Sequence, residues 1–250
     1  MTALSGPELT AVCAAVTLAY TVFGFGGFGA NLVALPLLAH AMSLRFAVPM
    51  LLLLDLIAAG LMGFRNRSLV QWRELARLLP TLVVGMLLGL VVLERAPERW
   101  LLTLLGSFVA AFALWSLFGR ASTTAVSGRW AWPTGLFGGV FSTMFGTGGP
   151  VYTTYLARRI IDTSRLRASI GMLILGSALM RLLLFTGSGF FRQPGLMTLS
   201  LLLVPCALVG FMLGSRLHAR LPQAQVRRGI WLLLLASGGS LLVRGLSATG

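Results

Sequence analysis

"GFGGFG" (Gly24–Gly29) sets four glycines in six residues inside an apolar stretch. Its spacing matches G-x-G-x-x-G, the pattern of dinucleotide-binding loops, and Asp55 follows at a distance such a loop tolerates for its ribose-binding acid. That loop needs a strand before it, a helix after it and a soluble α/β unit around it. Here about 15 apolar residues precede the glycines and "ANLVALPLLA" (Ala30–Ala39) follows. A second cluster, "GTGGP" (Gly146–Pro150), keeps the glycine doublet but not the spacing. The doublet is what recurs, so the pattern does not read as a nucleotide site.

Composition says what kind of chain needs such clusters. Of the 250 residues, 57% are hydrophobic and 10% are charged, against about 25% charged in a soluble globular domain. The mean hydropathy is +0.89. Long apolar runs recur along the whole chain, which predicts a polytopic helical membrane protein. A barrel would show short alternating segments instead. The formal net charge of +14 does not point to nucleic acid. All 20 basic residues are arginines, mostly at the ends of apolar runs, as the positive-inside rule explains without a polyanionic partner. Absence of lysine excludes a Walker A lysine, a Schiff base and a lysine general base. Cys13 and Cys206 lie in apolar segments, and His40 and His218 lie far apart near segment ends. Neither pair suggests a metal site, and no cofactor is expected. The first ten residues carry Glu8 and no basic residue, so no cleaved leader is expected.

Apolar segments run over 9–40, 47–64, 77–93, 100–118, 131–157, 169–187, 196–217 and 229–245. Most approach the roughly 20 residues a spanning helix needs. The first and fifth are longer, and each is cut by a glycine cluster. A glycine inside a helix costs about 1 kcal/mol against alanine, so the clusters predict breaks. A break at membrane depth is tolerated where the backbone lines a cavity or is buried in protein.

The two halves of the chain match each other. "GFGG" (Gly24–Gly27) aligns with "GTGG" (Gly146–Gly149) at an offset of 122, which also sets Arg45 on Arg167. "VGMLLG" (Val84–Gly89) aligns with "VGFMLG" (Val209–Gly214) at an offset of 125, which sets Pro97 on Pro222. Four matches with a three-residue slip predict an internal duplication, 1–120 and 121–250. Apolar, glycine-rich sequence can also match by chance.

Arginine placement then separates two topologies. If every segment crosses once, the loop arginines divide 11 to 8 between the two sides. If the two broken segments are hairpins that enter and leave on one face, they divide 14 to 5, with Arg181 left inside a helix. Only the hairpin arrangement obeys the positive-inside rule. Each repeat is then one hairpin plus three crossings, and an odd number of crossings inverts the second repeat. The expected fold is an all-α membrane bundle of inverted repeats, with both termini outside the cytoplasm. Broken helices near the midplane of inverted repeats are a recurring design of secondary transporters.

Helix breaks free backbone N–H groups, and half-helix N-termini carry positive partial charge, so they favour an anion. The alternative for the glycines is close helix packing through small residues. Candidate ligands at the breaks are Gly26, Gly27, Asn31, Thr147, Gly148, Gly149, Tyr152 and Thr153, with Ser142 and Thr143 beside them. Serine and threonine in membrane helices also bond to their own backbone. Asp55, in "MLLLLDLIAAG" (Met50–Gly60), is an ionisable residue at membrane depth and hence a functional candidate. Its repeat partner is Ser177, and Arg181 lies one turn further on. Asp55 and Arg181 either pair structurally, or Arg181 holds an anionic substrate while Asp55 serves coupling or gating. Arg181 could instead snorkel to an interface.

Two glycine clusters in paired halves, each followed by a short apolar run and an arginine-capped helix, resemble the TauE/SafE family, the sulfite-exporter-like or toluene sulfonate uptake permeases. The resemblance covers nearly the whole chain. Pro36 follows the first glycines as the family often has it, whereas Pro150 sits directly on the second cluster. The resemblance implies a multi-pass, bacterial-type inner-membrane secondary transporter of small anions such as sulfite, sulfonates or carboxylates. Coupling would be to protons, sodium or the substrate's own gradient, since no ATP machinery is visible. An anion channel on the same scaffold and a non-transporting scaffold subunit are the alternatives. An enzyme is not expected: of six acidic residues, five lie in or beside loops or termini. Expected partners are the anion and the bilayer, with no nucleic acid; oligomeric state is not legible.

Overall fold

The computed structural model describes residues 6–26, 29–118, 126–220 and 223–247. Among them are ten α-helices and no strand: α1 (Gly6–Gly26), α2 (Ala30–Leu38), α3 (Leu44–Gly63), α4 (Trp72–Arg95), α5 (Glu98–Phe118), α6 (Ala131–Phe145), α7 (Gly148–Leu156), α8 (Thr163–Gly187), α9 (Leu196–Arg220) and α10 (Gln223–Ser247). Helix is the outcome because a bilayer offers no water to backbone N–H and C=O groups, so each segment must satisfy its own. Helix α1 occupies the position where a dinucleotide loop would need a strand.

Helices α1, α4, α5 and α8 and residues Leu196–Leu217 of α9 are long and apolar enough to cross a membrane. Their outward faces are apolar, with Leu183 70% and Leu201 69% exposed, as a lipid-facing surface requires. Trp72, Trp100, Trp130 and Trp132 are exposed at or beside the starts of α4, α5 and α6, where amphipathic rings suit the headgroup level. The helices outrun the apolar segments read from sequence. Helix α8 begins at Thr163 rather than 169, because Asp162 caps it by accepting the Arg165 N–H at 2.9 Å. Helix α10 likewise begins at Gln223 rather than 229.

Both glycine-cut segments are broken. The first gives α1 and α2, the second α6 and α7. In the second, the Tyr152 hydroxyl donates to the Gly138 carbonyl at 2.8 Å. A continuous helix would hold residues 14 apart at about 21 Å, so the chain reverses between them. In the first, α2 packs back on α1. The segments differ in length: α1 has 21 residues and α6 has 15, whereas α2 and α7 have nine each.

The helices gather into two compact units, each drawing on both halves of the chain. The first comprises Met1–Met50, Ala96–Arg120 and Gln193–Gly250; the second comprises Leu51–Arg95 and Ala121–Arg192. In the first unit α1 lies along α9 and α5 along α10. A side-chain carbon added at Gly210 or Gly214 of α9 would fall on the Thr17 or Thr21 carbonyl oxygen of α1. Across the same contact, Cys13 and Cys206 meet as free thiols. In the second unit α4 lies along α6. A carbon added at Gly85 or Gly89 of α4 would fall on the Leu136 or Val140 carbonyl oxygen. Gly135 and Gly139 of α6 press on α4 in return.

The matching "VGMLLG" and "VGFMLG" thus share a physical cause. Each carries glycines at i and i+4, and each lets its helix approach a partner backbone. Lipid tails are as apolar as leucine, so such close packing replaces the hydrophobic effect as the force between helices.

Candidate functional site in the second unit

The second unit carries a set of buried polar side chains around the α6–α7 break. Ser142 and Thr143 end α6, Thr147 sits between the helices, and all three are buried. Gly146 ends α6 in the left-handed conformation, φ 66°, which glycine adopts without steric cost. Its N–H reaches the Ser142 carbonyl at 2.8 Å, closing the helix. Helix α7 then starts afresh at Gly148.

The start of α7 has little to satisfy it. Thr147 occupies the cap position but makes no side-chain cap, its hydroxyl reaching back 3.5 Å toward the Phe141 carbonyl. The first turn of any helix leaves N–H groups without intrahelical partners. Here Pro150 has none to offer, which leaves those of Gly148 and Gly149 foremost. A carbon added at Gly148 would come within 2.6 Å of the Tyr152 hydroxyl and 2.7 Å of the Gly138 carbonyl. Tyr152 is fully buried, its ring on Gly138 and its hydroxyl donating to that carbonyl. It braces the reversal. Thr153 bonds the Gly149 carbonyl at 2.8 Å, one helical turn back.

Arg181 is 2% exposed, so its head does not reach an interface. Its Nη2 lies 3.5 Å from Oδ2 of Asp55, which is also buried. Among the described residues Nε and Nη1 have no hydrogen-bond partner. A guanidinium out of water is costly unless paired and bonded, and 3.5 Å is long against the 2.7–2.9 Å of a charge-assisted bond. Arg181 therefore stands with most of its donors unused. Arg181 and Tyr152, the residue that lies against Gly148, are both buried in the second unit. Ser177, 122 residues beyond Asp55, donates to the Ile174 carbonyl at 2.8 Å.

The first unit holds the other expected ligands. Asn31 is buried in the first turn of α2, behind Gly29 at φ 96°. Gly26 is exposed and faces open space. Gly27 lies outside the described residues. At the far end of α2, Arg244 donates to the Ala39 carbonyl, and His40 sits 2.9 Å from the Pro36 carbonyl and 3.1 Å from Ser240 Oγ.

One polar cluster was not anticipated. Glu74, at the start of α4, accepts from Tyr155 at 2.7 Å, Arg159 at 2.9 Å and Arg77 at 2.8 Å. It ties the far end of α7 to α4. The signal lay in "RNRSLVQWRELAR" (Arg65–Arg77), a lone acid in an arginine run, but Tyr155 and Arg159 are more than 80 residues away in sequence.

Comparisons with known proteins agree with this picture of a membrane bundle. A family model described as "Sulfite exporter TauE/SafE" matches residues 12–241. The chain is 32% identical over 194 residues to the "Probable inner membrane transporter protein TsaS" of Comamonas testosteroni, covering 77% of this chain and 81% of that one. It is 27% identical over 184 residues to the "Probable sulfite/organosulfonate exporter TauE" of Cupriavidus necator, covering 72% and 71%. No solved structure matches. With the family's sequence pattern running through nearly the whole helical bundle, the chain is a multi-pass membrane protein of the TauE/SafE family of transporters, and not an enzyme.

Proposed function

We propose that the protein is an inner-membrane secondary transporter of small anions, sulfur oxyanions and sulfonates first among them. The observation that carries this reading is Arg181, buried with Nε and Nη1 unpartnered among the described residues, in the same compact unit as the uncapped start of α7. A guanidinium and free N–H groups both attract a small oxyanion. The printed name of the Cupriavidus relative supports the sulfur-containing class. In this reading Arg181 and the N–H groups of Gly148 and Gly149 hold the anion, with Thr147 and Thr143 as hydroxyl partners. Tyr152 keeps the break in shape, and Asp55 couples or gates. Gly26, Asn31 and Thr153 serve the matching break or the helix backbone. The halves 1–120 and 121–250 are inverted repeats, the design by which secondary transporters achieve alternating access, with both termini outside the cytoplasm.

Counterflow in proteoliposomes tests the reading. Vesicles loaded with unlabelled sulfite or methanesulfonate should take up labelled anion saturably, and Arg181→Ala should lose at least nine-tenths of that exchange. Unsaturable flux would mark a channel. Absence of flux from folded wild-type protein, for sulfite, sulfonates and carboxylates alike, would overturn transport.

A further inference from the structure

The Arg181–Asp55 pair has an electrical consequence for any anion that joins it. We propose that one proton binds Asp55 for each monoanion that binds Arg181, so that anion and proton cross together without net charge. This rests on the transport reading above.

Among the described residues Arg181 is the only buried arginine, and Asp55 is the acid beside it. With Asp55 ionised the pair sums to zero. A monoanion entering beside the pair would leave one uncompensated negative charge away from water, which a low-dielectric site resists strongly. A proton on the Asp55 carboxylate removes that charge: carboxylate, proton and anion become carboxyl and anion, and the anion's charge is balanced by Arg181. Release of the anion and the proton returns Asp55 to Arg181. Both the empty and the loaded forms are then neutral.

The geometry suits this exchange. The pair makes one long contact of 3.5 Å through Nη2, and Nε and Nη1 have no partner. The guanidinium can take an anion on its open edge while its hold on Asp55 loosens. A sodium ion would serve less well, because it would place a second cation beside the guanidinium, whereas a proton leaves a neutral carboxyl.

The other charged and titratable groups around α8 do not supply the missing charge. Tyr152 on α7 is neutral and its hydroxyl is engaged by Gly138. Glu74 on α4 and Tyr155 on α7 are tied up with Arg77 and Arg159. Helix α6 carries no ionisable side chain. Arg67, in the short helix before α4, is exposed, and Arg192 lies in the turn after α8.

The test uses methanesulfonate, a monoanion at every usable pH, so any proton that moves is carried by the protein. Wild-type proteoliposomes holding a pH-sensitive dye should take up one proton per anion. Clamping the membrane potential with potassium and valinomycin should leave that ratio and the net rate unchanged. Asp55→Asn should lose accumulation driven by a pH gradient. Its empty form carries the unbalanced Arg181 charge and cannot return. Uptake without proton movement, uptake that follows the potential, or an Asp55→Asn protein that still accumulates against a gradient would overturn the proposal. The wild-type ratio decides the matter even if the variant fails to fold. Absence of wild-type counterflow would instead sink the transport reading beneath it.

Discussion

The two glycine breaks match in sequence and differ in construction. In the first, the left-handed glycine among the described residues is the last of the cluster, Gly29 at φ 96°, and it starts α2. In the second it is the first, Gly146 at φ 66°, and it ends α6. Gly24, the sequence partner of Gly146, is still helical, and a carbon added there would fall on the Phe211 carbonyl oxygen of α9. Aligned glycines therefore do different work: one admits a neighbouring helix and the other turns the chain. The pairs Gly85–Gly89 and Gly210–Gly214, by contrast, do the same work in their two units. A shared residue type fixes what is sterically allowed, and the neighbour decides which allowance is used.

The largest effect should come from the second unit's charge. Arg181→Ala leaves Asp55 buried without its arginine and should destabilise the folded protein by about 3–5 kcal/mol, read as a fall in detergent-solubilised thermal unfolding temperature. The double change Arg181→Ala, Asp55→Ala should recover much of that loss; no recovery would deny that the two charges are coupled. Asn31→Ala in the first unit removes no charge and should cost distinctly less.

Next are the packing glycines. Gly85→Ala and Gly210→Ala should each cost about 1–3 kcal/mol through overpacking, and by similar amounts, since each meets a backbone carbonyl that cannot swing aside. A large difference between them would break the likeness of the α4–α6 and α1–α9 contacts. At the breaks the likeness should fail. Asparagine tolerates the left-handed region, so Gly146→Asn should be milder than Gly146→Ala, whose strain is about 1–2 kcal/mol. At Gly24 the order should reverse, because the larger side chain meets α9. The same ranking at both sites would refute the assigned conformations. The smallest effect should be Tyr152→Phe, losing the bond to Gly138 at about 1 kcal/mol. Thermal unfolding with and without methanesulfonate would show whether the ring alone suffices to hold the site.

Much of this was legible because it is local. An apolar run of spanning length in a lysine-free, arginine-edged chain permits few folds other than membrane helices. The clusters at 24–29 and 146–149 mark breaks, whereas Gly138–Gly139 of α6 and Gly238–Gly239 of α10 stay helical. Arg181 also stands out in the sequence, because an arginine amid "GSALMRLLLF" (Gly176–Phe185) has no cheap explanation in a bilayer. Legibility ended at pairings across distance. Tyr152 was grouped with the ligands, but its hydroxyl is held by Gly138, a contact that exists only once the chain reverses. Glu74 was counted with loop acids, although it binds three side chains at the foot of α4.

Composition and spacing alone require a bilayer-spanning helical chain with breaks at two glycine clusters, and set one arginine and one aspartate inside apolar runs. Those follow from composition and spacing, which every residue carries whether folded or not. Folding adds that α4 lies on α6 and α1 on α9, that Gly146 and not Gly24 turns the chain, and that Arg181 meets Asp55 across 126 positions with donors to spare. The reason is physical. Periodicity fixes what each helix must bury, and many partners could satisfy it. The partner is chosen by close packing of particular backbones, and that choice brings distant charges together.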